Sequence, residues 1–342
     1  MKRWKDALSA AMLCALIAML AGCSDAAKGG ARQGMALCEE VLIPSLLPIM
    51  ILSNTLLLSC AGRIPGAVFG RFVEAVLHLP KAATGAIIMG LTCGYPTGAM
   101  LTASLLENGK ISREEAVRIM RFNLCGGIAF TVSAVGRFTL RSAKTGAVLL
   151  FVNILSALLC AVLSGAVNRR RPLSRAATES GVAALDALPD AALASVKGLA
   201  MLCGFVVFFS ALTALVHVPP ALLPLLEITG GLCRNETAFS LPMTAFFLSF
   251  GGFCVHLQLL GCLRRIGMRY AEFFAGRVLC ASISYALCLV YVRLFPSSSA
   301  VFSNLASPQP SFSEGSMALG IVMMAGCAVL VYDLKNRKLK FA

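Results

Sequence analysis

The chain has 342 residues, 58% of them hydrophobic and only 13% charged, with a mean hydropathy of +0.82. That balance excludes a soluble globular protein and points to an all-α polytopic membrane protein. The net charge of +14 would suggest nucleic acid in a soluble chain. Here the Lys and Arg residues cluster between apolar runs, where they read as cytoplasmic loop anchors, and no nucleic-acid partner is expected.

Met1–Gly22 has a basic start (Lys2, Arg3, Lys5) and an apolar core, and ends in Leu20-Ala21-Gly22-Cys23. It is either a short first span or a lipoprotein-like signal cleaved before Cys23; the uncleaved span is favoured, and both leave residue 24 onward outside. Val41–Cys60 is a second span. Phe69, Phe72, Val73, Val76 and Leu77 recur at helical spacing opposite Arg71 and Glu74, which suggests a helix lying in the membrane interface. The uncharged run Ala82–Leu106 is as apolar as a span, but its centre, Gly90-Leu91-Thr92-Cys93-Gly94-Tyr95-Pro96-Thr97-Gly98-Ala99, is rich in helix breakers. Broken backbone at membrane depth survives only where protein or a water-filled cavity covers it. Ser112 is a helix cap before a doubly charged segment. Phe122–Gly136 is apolar but contains Asn123 and the pair Gly126-Gly127, and Ala143–Val167 is a clean span.

The loop Asn168–Lys197 opens Arg169-Arg170-Arg171 and is the most basic. A span runs from Gly198 to about His217. After Pro219-Pro220, Leu222–Gly231 is too short to cross alone; it carries Glu227 and the break Thr229-Gly230-Gly231. Thr237–Cys262 is a span interrupted by Gly251-Gly252 and bearing His256 and Gln258. Phe273–Phe295 and Ser316–Tyr332 are further spans, the last followed by a basic tail.

Basic residues flank Ala82–Leu106 on both sides: Arg63, Arg71 and Lys81 before it, Lys110, Arg113, Arg118 and Arg121 after it. A stretch that crossed once would put one cluster outside, against the positive-inside rule. A helical hairpin that enters and returns keeps both inside. Pro219–Glu236 then becomes a second hairpin, dipping in from the outside. The expected architecture is about eight transmembrane helices plus two re-entrant hairpins in an inverted repeat, with both termini cytoplasmic. Only Arg137, Arg141 and Lys144 fall on the wrong side. Broken elements at corresponding places in inverted halves mark a midplane binding site in secondary transporters.

Most of the 14 cysteines lie within apolar runs and have no metal-ligand spacing, so they read as small packing residues. There is no paired nucleophile and base and no His/Glu metal cluster; an enzyme, a metal site and a cofactor are not expected. Half-helix N-termini at two hairpin tips favour a substrate that bears a carboxylate. Thr92, Gly94, Tyr95, Thr97, Gly98, Asn123, Thr229, Gly230, Ser249 and Gln258 are the expected binding residues; the bland reading of each Thr or Ser is that it bonds neighbouring backbone. Glu227 is the only acid between Lys197 and Arg234. It is either a coupling site for H+ or Na+, a partner of Arg234 or His256, or a group at the outer interface. The remaining expected partners are a small-molecule solute, the lipid bilayer and a second copy of the chain.

The run Pro44-Ser45-Leu46-Leu47-Pro48, the motif Gly94-Tyr95-Pro96-Thr97-Gly98-Ala99, the charged Ile111-Ser112-Arg113-Glu114-Glu115-Ala116 and the segment Ser249–Gln258 resemble the YlbJ family of sporulation integral membrane proteins. The resemblance covers about residues 36–290. It implies nucleoside-recognition gate domains, similar to those of concentrative nucleoside transporters. It also implies a role in spore maturation, moving dipicolinic acid from the mother cell toward the forespore across the outer forespore membrane. Tyr95 and Cys125-Gly126-Gly127 depart from the polar pattern that the resemblance implies. The alternatives are a nucleoside or nucleobase transporter and a non-transporting sporulation scaffold. On this reading the chain divides into an N-terminal span or signal (1–35), a first gate-type repeat (36–167), a basic cytoplasmic linker (168–197), a second, inverted repeat (198–295), and an outer loop with last span and tail (296–342).

Overall fold

A computed structural model describes residues 2–59, 63–167, 183–216, 218–233 and 239–295. The expected span at Ser316–Tyr332, the loop before it, the basic tail and the arginine cluster of the 168–197 linker lie outside the described residues. The described elements are helical throughout, and five helices among them are long and apolar enough to cross a membrane. The chain is an all-helical, multi-pass membrane protein.

Helix α1 (Lys2–Gly22) runs into α2 (Ser24–Leu37) with only Cys23 between them. A π-helical turn, Cys38–Leu42, joins α2 to α3 (Ile43–Leu58), so Ser24–Leu56 forms one long apolar helix. This corrects the sequence reading, which starts the second span at Val41 and leaves the preceding residues as an outside loop. The cause is small-residue packing. Ala27, Gly30, Gly34 and Leu37 are the buried positions of α2. They form a stripe at helical spacing against α9 (Ala184–Leu215). A Cβ on Gly30 would lie 2.4 Å from the Ser210 carbonyl oxygen, so the two backbones approach as only small residues allow. Lys28 and Arg32 lower the hydropathy of this stretch and hide it from a composition scan. Helix α9 likewise starts at Ala184, inside the segment read as linker.

Helix α4 (Arg63–Val76) leaves Ile64, Val68, Phe69 and Phe72 exposed and buries Val73. An apolar face turned outward fits a helix bedded in the interface. Helices α5 (Thr84–Thr92) and α6 (Tyr95–Glu107) then fold back on one another. A Cβ on Gly98 would stand 2.5 Å from the Gly90 Cα, so two glycines let the arms touch. Helix α7 (Arg113–Phe122) starts at a capping box: Ser112 Oγ accepts from the Glu115 N–H, and Glu115 accepts from the Ser112 N–H.

Both ends of the α5–α6 pair lie at one face of the molecule. Arg118 donates to the carbonyls of Leu77 and His78, just ahead of α5. Arg113, on the same short helix, donates to the Gly267 carbonyl. Glu107, at the end of α6, takes a bidentate hold on Arg265, with oxygens 2.6 and 2.5 Å from its nitrogens; that guanidinium holds its carboxyl below the usual carboxylate range. The loops that the positive-inside rule assigns to one side are therefore tied together by these contacts.

Residues 123–126 are not helical. They lead into an 11-residue π-helix, Ala129–Thr139, so the expected span at 122–136 is a discontinuous element. The π-helix packs on α8 (Ala143–Val167), where the Gly136 and Gly146 backbones meet. After α9 come two very short helices, α10 (Leu223–Leu226) and α11 (Ile228–Cys233). Helices α12 (Leu241–Phe250) and α13 (Gly252–Ile266) are two halves of one broken span, and α14 (Tyr270–Leu294) closes the described core against α8 and α12.

A paired substitution tests the α2–α9 contact. Gly34→Val should lower stability by about 1–3 kcal/mol through overpacking against Ser210 and Val207. Gly29→Val, where no atom lies within 4 Å of an added Cβ, should change little. Melting temperatures in detergent report both.

Candidate functional site

The α5–α6 hairpin turns at Gly94, whose φ of +108° only glycine holds without strain. Its tip rests on the break after α7. A Cβ on Gly127 would lie 2.7 Å from the Gly94 nitrogen. The α10–α11 hairpin is built the same way on a smaller scale: a Cβ on Gly231 would lie 2.4 Å from the Pro224 nitrogen. Its tip is at Leu226–Glu227, not at Thr229-Gly230-Gly231 as the sequence suggests, and it rests on the break between α12 and α13. There a Cβ on Gly252 would be 3.0 Å from the Pro224 carbonyl oxygen. Each hairpin tip thus sits on a glycine pair that interrupts a helix.

Helices that stop within an apolar core leave carbonyls without an intrahelical partner. Side chains from distant elements supply them here. Tyr95 donates its hydroxyl to the Leu248 carbonyl, joining the first hairpin to the α12 break. His256 Nε2 lies 3.1 Å from the Phe250 carbonyl oxygen, and its Nδ1 lies 3.1 Å from the Tyr270 hydroxyl. A carbonyl only accepts, so Nε2 carries the proton and Nδ1 accepts from Tyr270. Arg277, on α14, donates from Nη1 to the Leu124 carbonyl at 2.7 Å.

The two tips enclose a cavity of about 30 Å³, room for about two water molecules and closed to a larger solute. Gly94, Tyr95, Glu227 and Thr229 line it, with Gly126 from the α7 break and apolar residues of α3 and α9. A second cavity of about 100 Å³ adjoins it through Met50, Pro96 and Gly198, and Thr97 faces this one.

The other expected residues sit elsewhere. Thr92 donates to the Ile88 carbonyl within its own helix. Gly98 and Asn123 build the hairpin: Asn123 Nδ2 donates to the Ala86 carbonyl at 2.8 Å, and the side chain is wedged against Gly90. Gly230 gives its N–H to Glu227. Ser249 is buried in α12. Gln258 donates to the thiol of Cys254, one turn from the cavity wall.

Glu227 is 5% exposed. Its carboxylate accepts from the N–H groups of Thr229, at 2.8 Å, and Gly230. It caps α11 and occupies the helix start that the sequence reading offered to a substrate. No side chain caps the start of α6. His256 is engaged with Phe250 and Tyr270, and Arg234 lies outside the described residues.

Two features escape the sequence reading. Arg277 is 1% exposed in the first third of α14; one buried charge in a long apolar helix carries no periodic signal, although an ionisable residue within a span is a functional flag. Asn54 Nδ2 donates to the Ser195 hydroxyl at 2.8 Å, tying α3 to α9 beside the second cavity.

Compared with known proteins, the chain is 28% identical over 298 residues to the sporulation integral membrane protein YlbJ of Bacillus subtilis (strain 168), covering 72% of this chain and 73% of that protein. No family model matches the chain, and no solved structure matches it.

Removing the hydroxyl in Tyr95→Phe strands the buried Leu248 carbonyl. This should cost about 1–3 kcal/mol, measured by denaturant unfolding in detergent. Tyr285→Phe, on the exposed side of α14, should be neutral.

Proposed function

We propose that this chain, which belongs to the family of the sporulation integral membrane protein YlbJ, is a transporter of a small anionic solute. Dipicolinic acid, moved during spore maturation across the outer forespore membrane, is the solute the family resemblance favours. The observation that carries the reading is the convergence of two hairpin tips and two glycine breaks on one buried cavity. Discontinuous helices meeting at a central site are the plan of alternating-access carriers. The eight-span count, the re-entrant course of both hairpins and the inverted relation of the two halves belong to this proposal, as do cytoplasmic termini.

Glu227 is the coupling residue in this reading. A carboxylate buried beside the cavity and held by two backbone N–H groups is placed to exchange a proton or a Na+ with the cavity as the site opens. Glu227→Gln keeps the size of the side chain and one of its two accepting oxygens. The folded variant should reduce uptake of labelled dipicolinate into proteoliposomes at least about tenfold, with the dependence on the H+ or Na+ gradient lost. Uptake by this variant equal to that of the wild type would reject the coupling role. Absence of any dipicolinate or nucleoside uptake by the wild type would reject transport.

A scaffold that only assembles other envelope proteins is the competing reading. Gly231→Leu cannot separate the two, because its side chain would strike the Pro224 backbone whatever the function; a folded Glu227→Gln protein can, since a scaffold has no gradient-driven uptake to lose. The hairpin course has its own test. Cysteines placed at residues 81 and 107 should react with an impermeant thiol reagent from the same side of the membrane, and labelling from opposite sides would remove the re-entrant hairpin.

A further inference from the structure

Arg277 is buried to 1% exposure, yet its guanidinium is only partly used. Nη1 holds the Leu124 carbonyl at 2.7 Å. Nε and Nη2 have no oxygen or nitrogen acceptor; the Cys280 thiol, one turn on, is the weak acceptor beside the group. Burying an arginine costs several kcal/mol unless its donors are matched, and an unmatched buried donor calls for an explanation. Holding one carbonyl does not supply it, because a hydroxyl would do the same, as Tyr95 does for Leu248.

The unused atoms are not scattered. Nε and Nη2 form one edge of the guanidinium, with two parallel N–H groups at the spacing of the two oxygens of a carboxylate. Arg277 lines neither cavity but stands behind the wall of the first. Leu124, which Arg277 holds, is two residues from Gly126, and Gly126 lines the cavity wall. Gly126 belongs to the non-helical run 123–126, and the next residue, Gly127, rests on the tip glycine of the first hairpin. A movement of the hairpin tip would free Gly127, and with it the segment between the guanidinium and the cavity. The anion argument now rests here, since Glu227 already fills one of the two helix starts.

We propose that Arg277 is the specificity residue of the site: parked on the Leu124 carbonyl in the closed state, it presents its Nε–Nη2 edge to a carboxylate of the solute when the Cys125–Gly127 segment shifts. The inference takes the chemical class of its ligand from the transport reading.

The test uses the full-length protein in detergent, with binding of pyridine-2,6-dicarboxylate and of its neutral diamide read as shifts in melting temperature at fixed ionic strength. Wild type should be stabilised by the dicarboxylate and not by the diamide. Arg277→Gln should weaken dicarboxylate binding about 10- to 150-fold, the loss of a charge-assisted contact. Arg277→Lys, which keeps the charge without the fork, should fall between. Arg277→Met, apolar and of similar length, gives the same answer as Gln if the glutamine variant does not fold. A folded Arg277→Gln or Arg277→Met protein that binds the dicarboxylate like wild type overturns the inference, as does equal stabilisation of wild type by the diamide. Proteoliposome uptake separates this from the reading beneath it. Uptake unchanged in Arg277→Gln leaves transport standing and removes Arg277. Dicarboxylate binding that needs Arg277, with no uptake by wild type, leaves the residue's role standing and removes transport.

Discussion

A helix that ends inside an apolar core leaves carbonyl groups that no water reaches, and each unmatched one costs as much as a lost hydrogen bond or more. Among the described residues the chain breaks helices there at 123–126 and at Gly251-Gly252. The side chains that meet the exposed carbonyls do so from elsewhere in the chain. Tyr95 comes from the first hairpin, Arg277 from α14 and His256 from the far half of the broken span. The breaks are therefore not weak points in a packed bundle. They are the junctions through which the first hairpin, the second broken span and the last described helix are held in one arrangement.

Glycine has two separate jobs at these junctions. At Gly94 and Gly251 it supplies a backbone conformation that other residues hold only under strain. At Gly90, Gly98 and Gly231 it supplies absence: a Cβ at any of them would meet neighbouring atoms at 2.4–2.5 Å. The same absence brings α2 against α9 at Gly30 and Gly34. Close backbone contact is the main means of association among helices surrounded by lipid, where apolar side chains gain little by leaving one hydrocarbon for another.

These causes decide what could be read in advance. The first hairpin was legible because two long-range signals agreed: basic residues on both flanks and three glycines with a proline between them. The glycine pairs at 126–127 and 251–252 were legible as breaks. The tip of the second hairpin was not, because Thr229-Gly230-Gly231 looks like a turn, while the actual turn at Leu226–Glu227 has no breaker of its own and forms because Glu227 caps the next helix. The long helix from Ser24 was hidden by Lys28 and Arg32, whose charges outweigh a small-residue stripe in any average. Of the expected binding residues, Gly94, Tyr95 and Thr229 line the cavity and Thr97 the one beside it, whereas Thr92, Asn123 and Gln258 are taken up by backbone or by a neighbouring thiol. Spacing along the chain tells which residues are near a break; it does not tell which carbonyl or thiol will claim them.

The electrostatics of the cavity follow from the same claims. Two open helix starts would form a site with positive potential on both sides. Here one start is neutralised from within by Glu227, and the start of α6 alone is left uncapped. Such a site is poised between signs. With the carboxylate held to its two N–H groups, the start of α6 is the one of the two that stays open to an anion. In the proposed transport reading, a released carboxylate would be a ligand for a proton or a cation, and the second helix start would be vacated for an anion. Binding of the positive species and of the negative one would then favour the same rearrangement. Coupling of this kind needs no contact between the two species, only that both bind the state in which Glu227 has let go. The geometry of Glu227, rather than the apolar wall around it, is what would make this cavity a site for two ligands and not one.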